Sequence, residues 1–164
     1  MSDYDKCVRE GVIRPGDDFT TRKETNVLLG LSPTAGFMRG GARIAAVDGE
    51  AAIIWWPKCR DEKNGWENVK EEYGEDIGRG FNSVLVISEK NLDERRNQEH
   101  IQRVIATSAE RIRYVFWREE LNRTRWYKFY GKFQLDEEAT RRENKCIFKR
   151  IVSEVAVNCT RHRG

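Results

Sequence analysis

The stretch WYKFYGKFQL, residues 126–135, decides the fold class of this chain of 164 residues. Aromatic and apolar residues alternate in it with lysine and glutamine, which is the period of two of a β-strand with one buried and one solvated face. Gly131 stands inside the stretch, where a glycine indicates a bulge or the close approach of another backbone. The pattern predicts an antiparallel strand whose buried face carries Tyr127, Phe129, Phe133 and Leu135.

Five further strands are indicated around this one by apolar runs rich in β-branched and aromatic residues. The dipeptide Asp48-Gly49 is the strongest short hairpin signal in the chain, because a type I′ turn needs residues that tolerate positive φ. It joins the first two of the predicted strands, which cover residues 43–47, 51–56, 84–87, 112–117 and 146–157.

Two helices are predicted. Thr21 and Glu24 have the spacing of a capping box, and Gly30 supplies a C-terminal stop, so that a short helix is expected over 21–29. Apolar residues at spacings of three and four predict the second helix, over 97–108.

The other segments are predicted to be irregular, as a lead-in over 1–16, loops over 31–42 and 57–80, and a hairpin loop over 136–144. The chain shows no alternation of strand, helix and strand. We therefore expect an α+β fold, built on a curled antiparallel sheet or a small β-barrel, in a single domain over 1–164.

The composition excludes several classes of protein. Apolar residues make up 38% of the chain and aromatic residues 10%, which is enough large rings to fill a core. No apolar run approaches the ~18 residues that span a bilayer, and the polar start is not a secretory signal. We therefore expect an intracellular protein, cytoplasmic or nuclear, that contacts no membrane.

The cysteines and histidines lack the spacing of metal ligands, so no metal site is predicted. We expect reduced, mostly buried thiols and surface imidazoles. The residues concerned are Cys7, Cys59, Cys146, Cys159, His100 and His162.

Charge is unevenly distributed along the chain. Residues 1–100 carry 15 Lys and Arg against 19 Asp and Glu, whereas residues 101–164 carry 15 against 8. The basic part interleaves arginine with aromatic residues over 111–118 and 123–133. Because guanidinium groups match phosphates and stack on bases, this pattern favours a nucleic-acid-binding surface. A half-buried strand with a solvated cationic face is the alternative.

The tryptophans suggest a pocket. Trp55 and Trp56 are adjacent on a strand, so one should pack in the core and the other should face a cavity or solvent. An exposed indole beside Asp48 and Asp61 would form one wall of a pocket for a single extruded base, with Trp66 close by in the chain. A carboxylate there can accept a hydrogen bond from the amine of cytosine. Two core-packing tryptophans are the alternative.

Signs of catalysis are weak. The sequence has no phosphate-binding loop, nucleophile elbow or zincin motif, and it indicates no cofactor. Asp136, Glu143 and Lys145 form a short string that a metal-dependent nuclease could use. They fall in the predicted hairpin loop, where a solvated turn explains them better.

Several short motifs resemble, in their order, those of SET- and RING-associated (SRA) domains. The resemblance covers residues ~11–151 at low identity, and the shared order of the motifs carries it. The matching segments are residues 11–19 with Arg22, then 30–32, 35–37, 41–44, 113–115, 126–133 and 146–150.

This resemblance implies a PUA-like barrel that flips a modified cytosine out of DNA, as in chromatin readers and modification-dependent restriction systems. It implies a core over 11–157, between a lead-in over 1–10 and a basic tail over 158–164. The family's pocket segment is replaced here by residues 46–50, and Trp55-Trp56-Pro57 stands where the family has Tyr-Thr-Gly.

We therefore expect a nucleic-acid-binding module, for DNA rather than RNA, that reads a modified cytosine-type base and works with a nuclease subunit or domain. A small metal-dependent nuclease, a nucleotide-processing enzyme and a protein-interaction module are the alternatives. The predicted base pocket comprises Asp48, Trp55, Trp56 and Trp66. The predicted nucleic-acid contacts are Arg22, Lys23, Arg39, Arg43, Arg123 and Arg125.

Overall fold

The computed structural model describes residues 2–33, 41–72 and 78–158. Its helices are α1 (Tyr4–Glu10), α2 (Arg22–Leu28), α3 (Glu94–Ser108) and α4 (Glu137–Glu143), with a 3-10 turn over Gly80–Ser83. Its strands are β1 (Val12–Ile13), β2 (Asp18–Phe19), β3 (Ala42–Val47), β4 (Glu50–Trp55), β5 (Arg60–Asp61), β6 (Trp66–Glu72), β7 (Val84–Asn91), β8 (Ile112–Leu121), β9 (Thr124–Leu135), β10 (Cys146–Val152) and β11 (Val155–Ala156). None of the helices in these ranges is long and apolar enough to cross a membrane.

The strands form one large sheet in the order β3-β4-β8-β9-β10-β7-β6-β5, with β2 paired to β9 and a separate β1–β11 pair. Neighbours in the large sheet are antiparallel except for β4 and β8, which are parallel. The predicted α+β class is confirmed, and the sheet is not closed into a barrel.

The sheet is strongly curled. Trp55 on β4 and Phe148 on β10 lie three strands apart, about 14 Å in a flat sheet, yet their ring centroids are 5.1 Å apart. Lys70 on β6 similarly donates a hydrogen bond across three strands to the hydroxyl of Tyr130 on β9, at 2.9 Å. The curl creates a concave side on which side chains from distant strands meet.

Gly131 determines which residues of β9 face which side. The pairing of β8 with β9 shifts register between Val115 and Phe116, opposite Gly131, which has a φ of 121°. Tyr127 and Phe129 pack in one core, whereas Phe133 packs in the other. The predicted bulge is therefore confirmed, but the prediction of a single buried face is wrong, because the extra residue reverses the alternation.

Both faces of the central strands are packed. Ile54 and Trp56 belong to the core that contains α2, whereas Ile53 and Trp55 belong to the concave core beneath α3. Trp55 is 4% exposed and Trp56 is 1% exposed. Neither tryptophan faces solvent, as one of them was expected to, because each side of β4 is covered by its own core.

The predicted helices and the hairpin are confirmed. The backbone N–H of Glu24 donates to the hydroxyl of Thr21 at the start of α2, as in a capping box. Asp48 and Gly49 have φ of 53° and 77° in the β3–β4 turn, which is the conformation of a type I′ turn.

Three segments predicted to be irregular are ordered. The lead-in contains α1, the 57–80 loop contains β5 and β6, and the 136–144 loop contains α4. β6 has the sequence WENVKEE, and its backbone pairs with β7 although its side chains show no apolar alternation. The hydrogen bonds of the sheet therefore supply what the side-chain pattern lacks.

The described cysteines carry free thiols. Cys7 and Cys146 are buried, as predicted, and Cys59 is exposed. Cys159 and His162 lie outside the described residues.

Candidate functional site

A cavity of about 470 Å³ opens on the concave side of the sheet. Its walls include Trp55, Trp56 and Trp66, and Ile44 at its edge is 72% exposed. Trp66, on β6, is half-buried, so its ring is the most accessible indole in the cavity. The structure therefore brings together the three tryptophans that the sequence selected.

A row of polar side chains crosses three strands at the floor of this cavity. Asn68 on β6 is in register with Glu89 on β7, which is in register with Cys146 on β10. Residues in register on adjacent strands share a face of the sheet, so the three side chains point to the concave side together. Asn68 and Glu89 reach the cavity.

His100 on α3 completes this row from above the sheet. Its Nε2 lies 2.7 Å from Oε1 of Glu89, and its ring contacts the ring of Trp66 at 4.5 Å. Burial alone would raise the pKa of Glu89, but the hydrogen bond with His100 and the charges of His100 and Arg113 lower it below its usual value. The prediction of a surface histidine is wrong, because α3 turns this residue toward the sheet.

Arg113 on β8 is a buried cation in the cavity wall, only 6% exposed. Its guanidinium lies 4.3 Å from the ring centroid of Phe148 and 4.9 Å from that of Trp55. Burial lowers its pKa, and the negative charge of Glu89 opposes that shift. Within the described ranges no group accepts a hydrogen bond from it, so its donors are available to a ligand.

Asn68 is fixed in one orientation. Its Nδ2 donates to the carbonyl oxygen of Lys58 at 2.8 Å. Its Oδ1 is buried and has no hydrogen-bond partner in the structure. A buried acceptor left unpaired costs stability, so this oxygen also points to a ligand.

Glu89, His100 and Cys146 offer ligand atoms within 4.8 Å of one another, which makes them the candidate metal ligands among the described residues. Two features oppose a cation there. Burial, with the nearby charge of Glu89, raises the pKa of Cys146 to about 12, which favours the thiol over the metal-binding thiolate. Arg113 already places a positive charge beside Glu89 and Cys146. The cluster fits a hydrogen-bonding ligand better than a metal ion.

The rim of the cavity is cationic. Arg22 from α2, Lys58 and Arg118 from β8 line it. The guanidinium of Arg22 lies 4.9 Å from the ring centroid of Trp56, and that of Arg118 pairs with Glu120. Asp61 also lines the cavity, and the hydrogen bond from Asn64 lowers its pKa.

Asp48 does not line this cavity. It lies exposed in the β3–β4 turn, beside a separate cavity of about 170 Å³, and accepts a hydrogen bond from Nδ2 of Asn158 at 2.9 Å. The acid predicted for the base pocket is therefore not brought near the tryptophans.

The predicted nucleic-acid contacts fall in different places. Arg22 is at the cavity rim, and Lys23 is exposed beside it on α2. Arg43 donates to the carbonyl oxygen of Ser32 at 2.8 Å, and burial lowers its pKa. Arg123 and Arg125 are exposed at the tip of the β8–β9 hairpin, which extends past the rim from Arg118. Arg39 lies outside the described residues.

The candidate nuclease residues do not form one site. Asp136 caps α4, accepting from the backbone N–H of Ala139, and pairs with Lys149 at 2.6 Å. Glu143 and Lys145 line a groove of about 610 Å³ that Asp136 does not reach, and Lys145 pairs with Glu71.

Sequence reasoning missed the cavity's polar residues. Arg113 is a lone charge inside the apolar run IRYVFW, and that signal could have identified it. Asn68 and Glu89 carry no such signal, because their strand neighbours are mostly polar.

Comparison with known proteins identifies the family. Residues 6–157 match the model of the SET and RING associated domain, so the chain belongs to the SRA domain family.

A solved structure, "The 5-Hydroxymethylcytosine-Specific Restriction Enzyme AbaSI", has the same fold, with a TM-score of 0.65 at 22% identity. The alignment covers 94% of this chain and 45% of that one, so the chain corresponds to about half of that enzyme's length. No curated protein sequence matches the chain.

Proposed function

We propose that this chain binds DNA and accepts one modified cytosine, flipped out of the duplex, into the cavity beneath α3. The observation that carries the proposal is the combination of accessible Trp66, a polar floor and a cationic rim in one cavity. A protein that addresses a single base extrudes it, stacks it on an aromatic ring and reads its edge with polar groups. Membership of the SRA family supports the same function.

Trp66 is the proposed stacking wall. Trp55 and Trp56 are held in the two cores, so they shape the cavity rather than move to meet a base. Trp66 keeps an accessible face, and its contact with His100 fixes the orientation of the ring.

The rim and the β8–β9 hairpin are the proposed DNA-backbone surface. Arg22, Lys58 and Arg118 surround the opening, and Arg123 and Arg125 extend the positive charge beyond it. Each phosphate that such a group neutralises steepens the salt dependence of log K by ~0.9 on duplex DNA.

We propose a role in a modification-dependent restriction system. AbaSI is a 5-hydroxymethylcytosine-specific restriction enzyme, and this chain corresponds to less than half of it. Cleavage would then come from a nuclease domain or subunit that acts with this module, and 5-hydroxymethylcytosine is the first base to test.

The test is a fluorescence-anisotropy titration with duplexes that carry cytosine, 5-methylcytosine or 5-hydroxymethylcytosine at one position. Trp66→Ala should weaken binding of the preferred modified duplex by about tenfold or more, because stacking on an aromatic ring contributes about 1–3 kcal/mol per base. Binding of the unmodified duplex should change little.

Trp126→Ala is the matched control. Trp126 is also half-buried, but it lies on β9 away from the cavity. The ratio of affinities for modified and unmodified DNA should survive this change. If Trp66→Ala leaves that ratio as in the wild type, the base does not stack on Trp66.

A further inference from the structure

We infer that Asn68 and Arg113 select the base by its Watson–Crick edge, so that the cavity takes a pyrimidine with a 4-amino group and rejects one with a 4-keto group. The inference rests on the proposed function and assigns base discrimination to two residues of the floor.

The amide of Asn68 presents a fixed acceptor. Its Nδ2 is committed to the carbonyl oxygen of Lys58, so rotation of the amide to offer a donor would break that hydrogen bond. Its Oδ1 is buried and unpaired. The group that completes it must therefore be an N–H or O–H of the ligand.

Arg113 presents donors only. A guanidinium carries five N–H groups and cannot accept a hydrogen bond. The rings of Phe148 and Trp55 hold its planar group, and the charge of Glu89 stabilises it. The ligand must offer it acceptors, and two adjacent acceptors match the guanidinium fork.

The two residues belong to one surface. Asn68 is in register with Glu89, and the guanidinium of Arg113 interacts electrostatically with that same Glu89. Both side chains line the cavity. A flat ligand on this floor thus meets an acceptor on one side and donors on the other.

The edge of cytosine has this arrangement, with an N4 amine beside the acceptors N3 and O2. Thymine and uracil carry an oxygen at position 4 and an N–H at position 3. A 4-keto base would place its oxygen against Oδ1 of Asn68 and its N–H against Arg113, leaving buried groups unpaired. Asp48 is remote from the cavity, so Asn68 rather than that carboxylate is the acceptor for the amine.

The experiment compares bases that differ only in this edge. Duplexes carry 5-methylcytosine, thymine, 5-hydroxymethylcytosine or 5-hydroxymethyluracil opposite an abasic site, so that no base pair has to be broken. The wild-type protein should bind each cytosine at least about tenfold more tightly than the matching 4-keto base. Asn68→Leu should bring both ratios close to one, and Arg113→Lys should lower them while keeping the charge.

Asn64→Leu is the matched control, because Asn64 lines the same cavity at its exposed rim and should leave both ratios unchanged. Thermal unfolding monitors the fold of each variant, and Asn68→Ser replaces Asn68→Leu if the latter does not fold. Wild-type ratios that persist in folded Asn68 and Arg113 variants would overturn the inference and leave the proposed function intact. A wild type that binds modified and unmodified cytosine duplexes equally would instead remove the proposed function, and the inference with it.

Discussion

Gly131 is the residue on which the placement of both cores depends. Its φ of 121° is accessible to glycine, and a Cβ there would lie 2.6 Å from the carbonyl oxygen of Val152. The bulge that it permits turns Phe133 to the concave core, next to the cavity's floor. One glycine thus links the path of a strand to the composition of the site.

Gly131→Ala should destabilise the protein by about 2–4 kcal/mol, because it adds backbone strain and a clash with a neighbouring strand. Gly49→Ala is the matched control, since Gly49 also has positive φ but no atom lies within 4 Å of the added Cβ. That change should cost only about 1 kcal/mol. Equal losses in urea unfolding would show that the contact with Val152 does not matter.

Glu89 should make the stability of the protein depend on pH. Its pKa is lower in the folded protein than the value of about 4.3 in an unfolded chain. The stabilisation is therefore fully present above about pH 4.3 and is lost as the pH falls through the folded pKa.

Glu89→Gln should accordingly cost about 1–3 kcal/mol at pH 7 and progressively less below pH 4. Urea unfolding at several pH values measures this difference. Glu99→Gln, on the exposed side of the same helix that carries His100, should show little effect at either pH. A cost for Glu89→Gln that stays constant down to pH 3 would contradict the assigned charge of Glu89.

At the scale of elements, the β8–β9 hairpin combines strain with charge. Asn122 and Arg123 form its turn with φ of 50° and 68°, although arginine rarely adopts positive φ. A type I′ turn favours glycine at the second position. An arginine retained there is consistent with a role in contacting DNA.

Arg123→Gly should therefore stabilise the protein by about 0.5–1 kcal/mol while weakening DNA binding. The slope of log K against log salt should fall by about 0.9 if Arg123 contacts one phosphate. Urea unfolding and titrations at two or more salt concentrations measure the two effects. A variant that gains stability and keeps the wild-type slope would place the hairpin away from the DNA.

Elements with a local signal could be predicted from the sequence. The capping box fixes α2, and the Asp48-Gly49 turn fixes the β3–β4 hairpin within a few residues. β5, β6 and α4 were missed, because their side chains are polar and their order comes from pairing with β7 and packing on β10. The bulge at Gly131 was predicted, but its effect on the facing of Phe133 was not.

At the scale of the whole molecule, the curl of the sheet assembles the site. The cavity takes Trp55 from β4, Trp66 and Asn68 from β6, Glu89 from β7 and His100 from α3. The tryptophans could be proposed from the sequence because large rings are rare and conspicuous. The polar floor could not, since it depends on register between strands that are distant in the chain.

The most direct test of the central claim is the affinity of the wild-type protein for three duplexes of one sequence at about 150 mM salt. They differ at a single position, which holds cytosine, 5-methylcytosine or 5-hydroxymethylcytosine. We predict at least about tenfold tighter binding of one modified duplex, a difference of about 1.4 kcal/mol. Equal affinity for all three would contradict the claim that the cavity reads a modified cytosine.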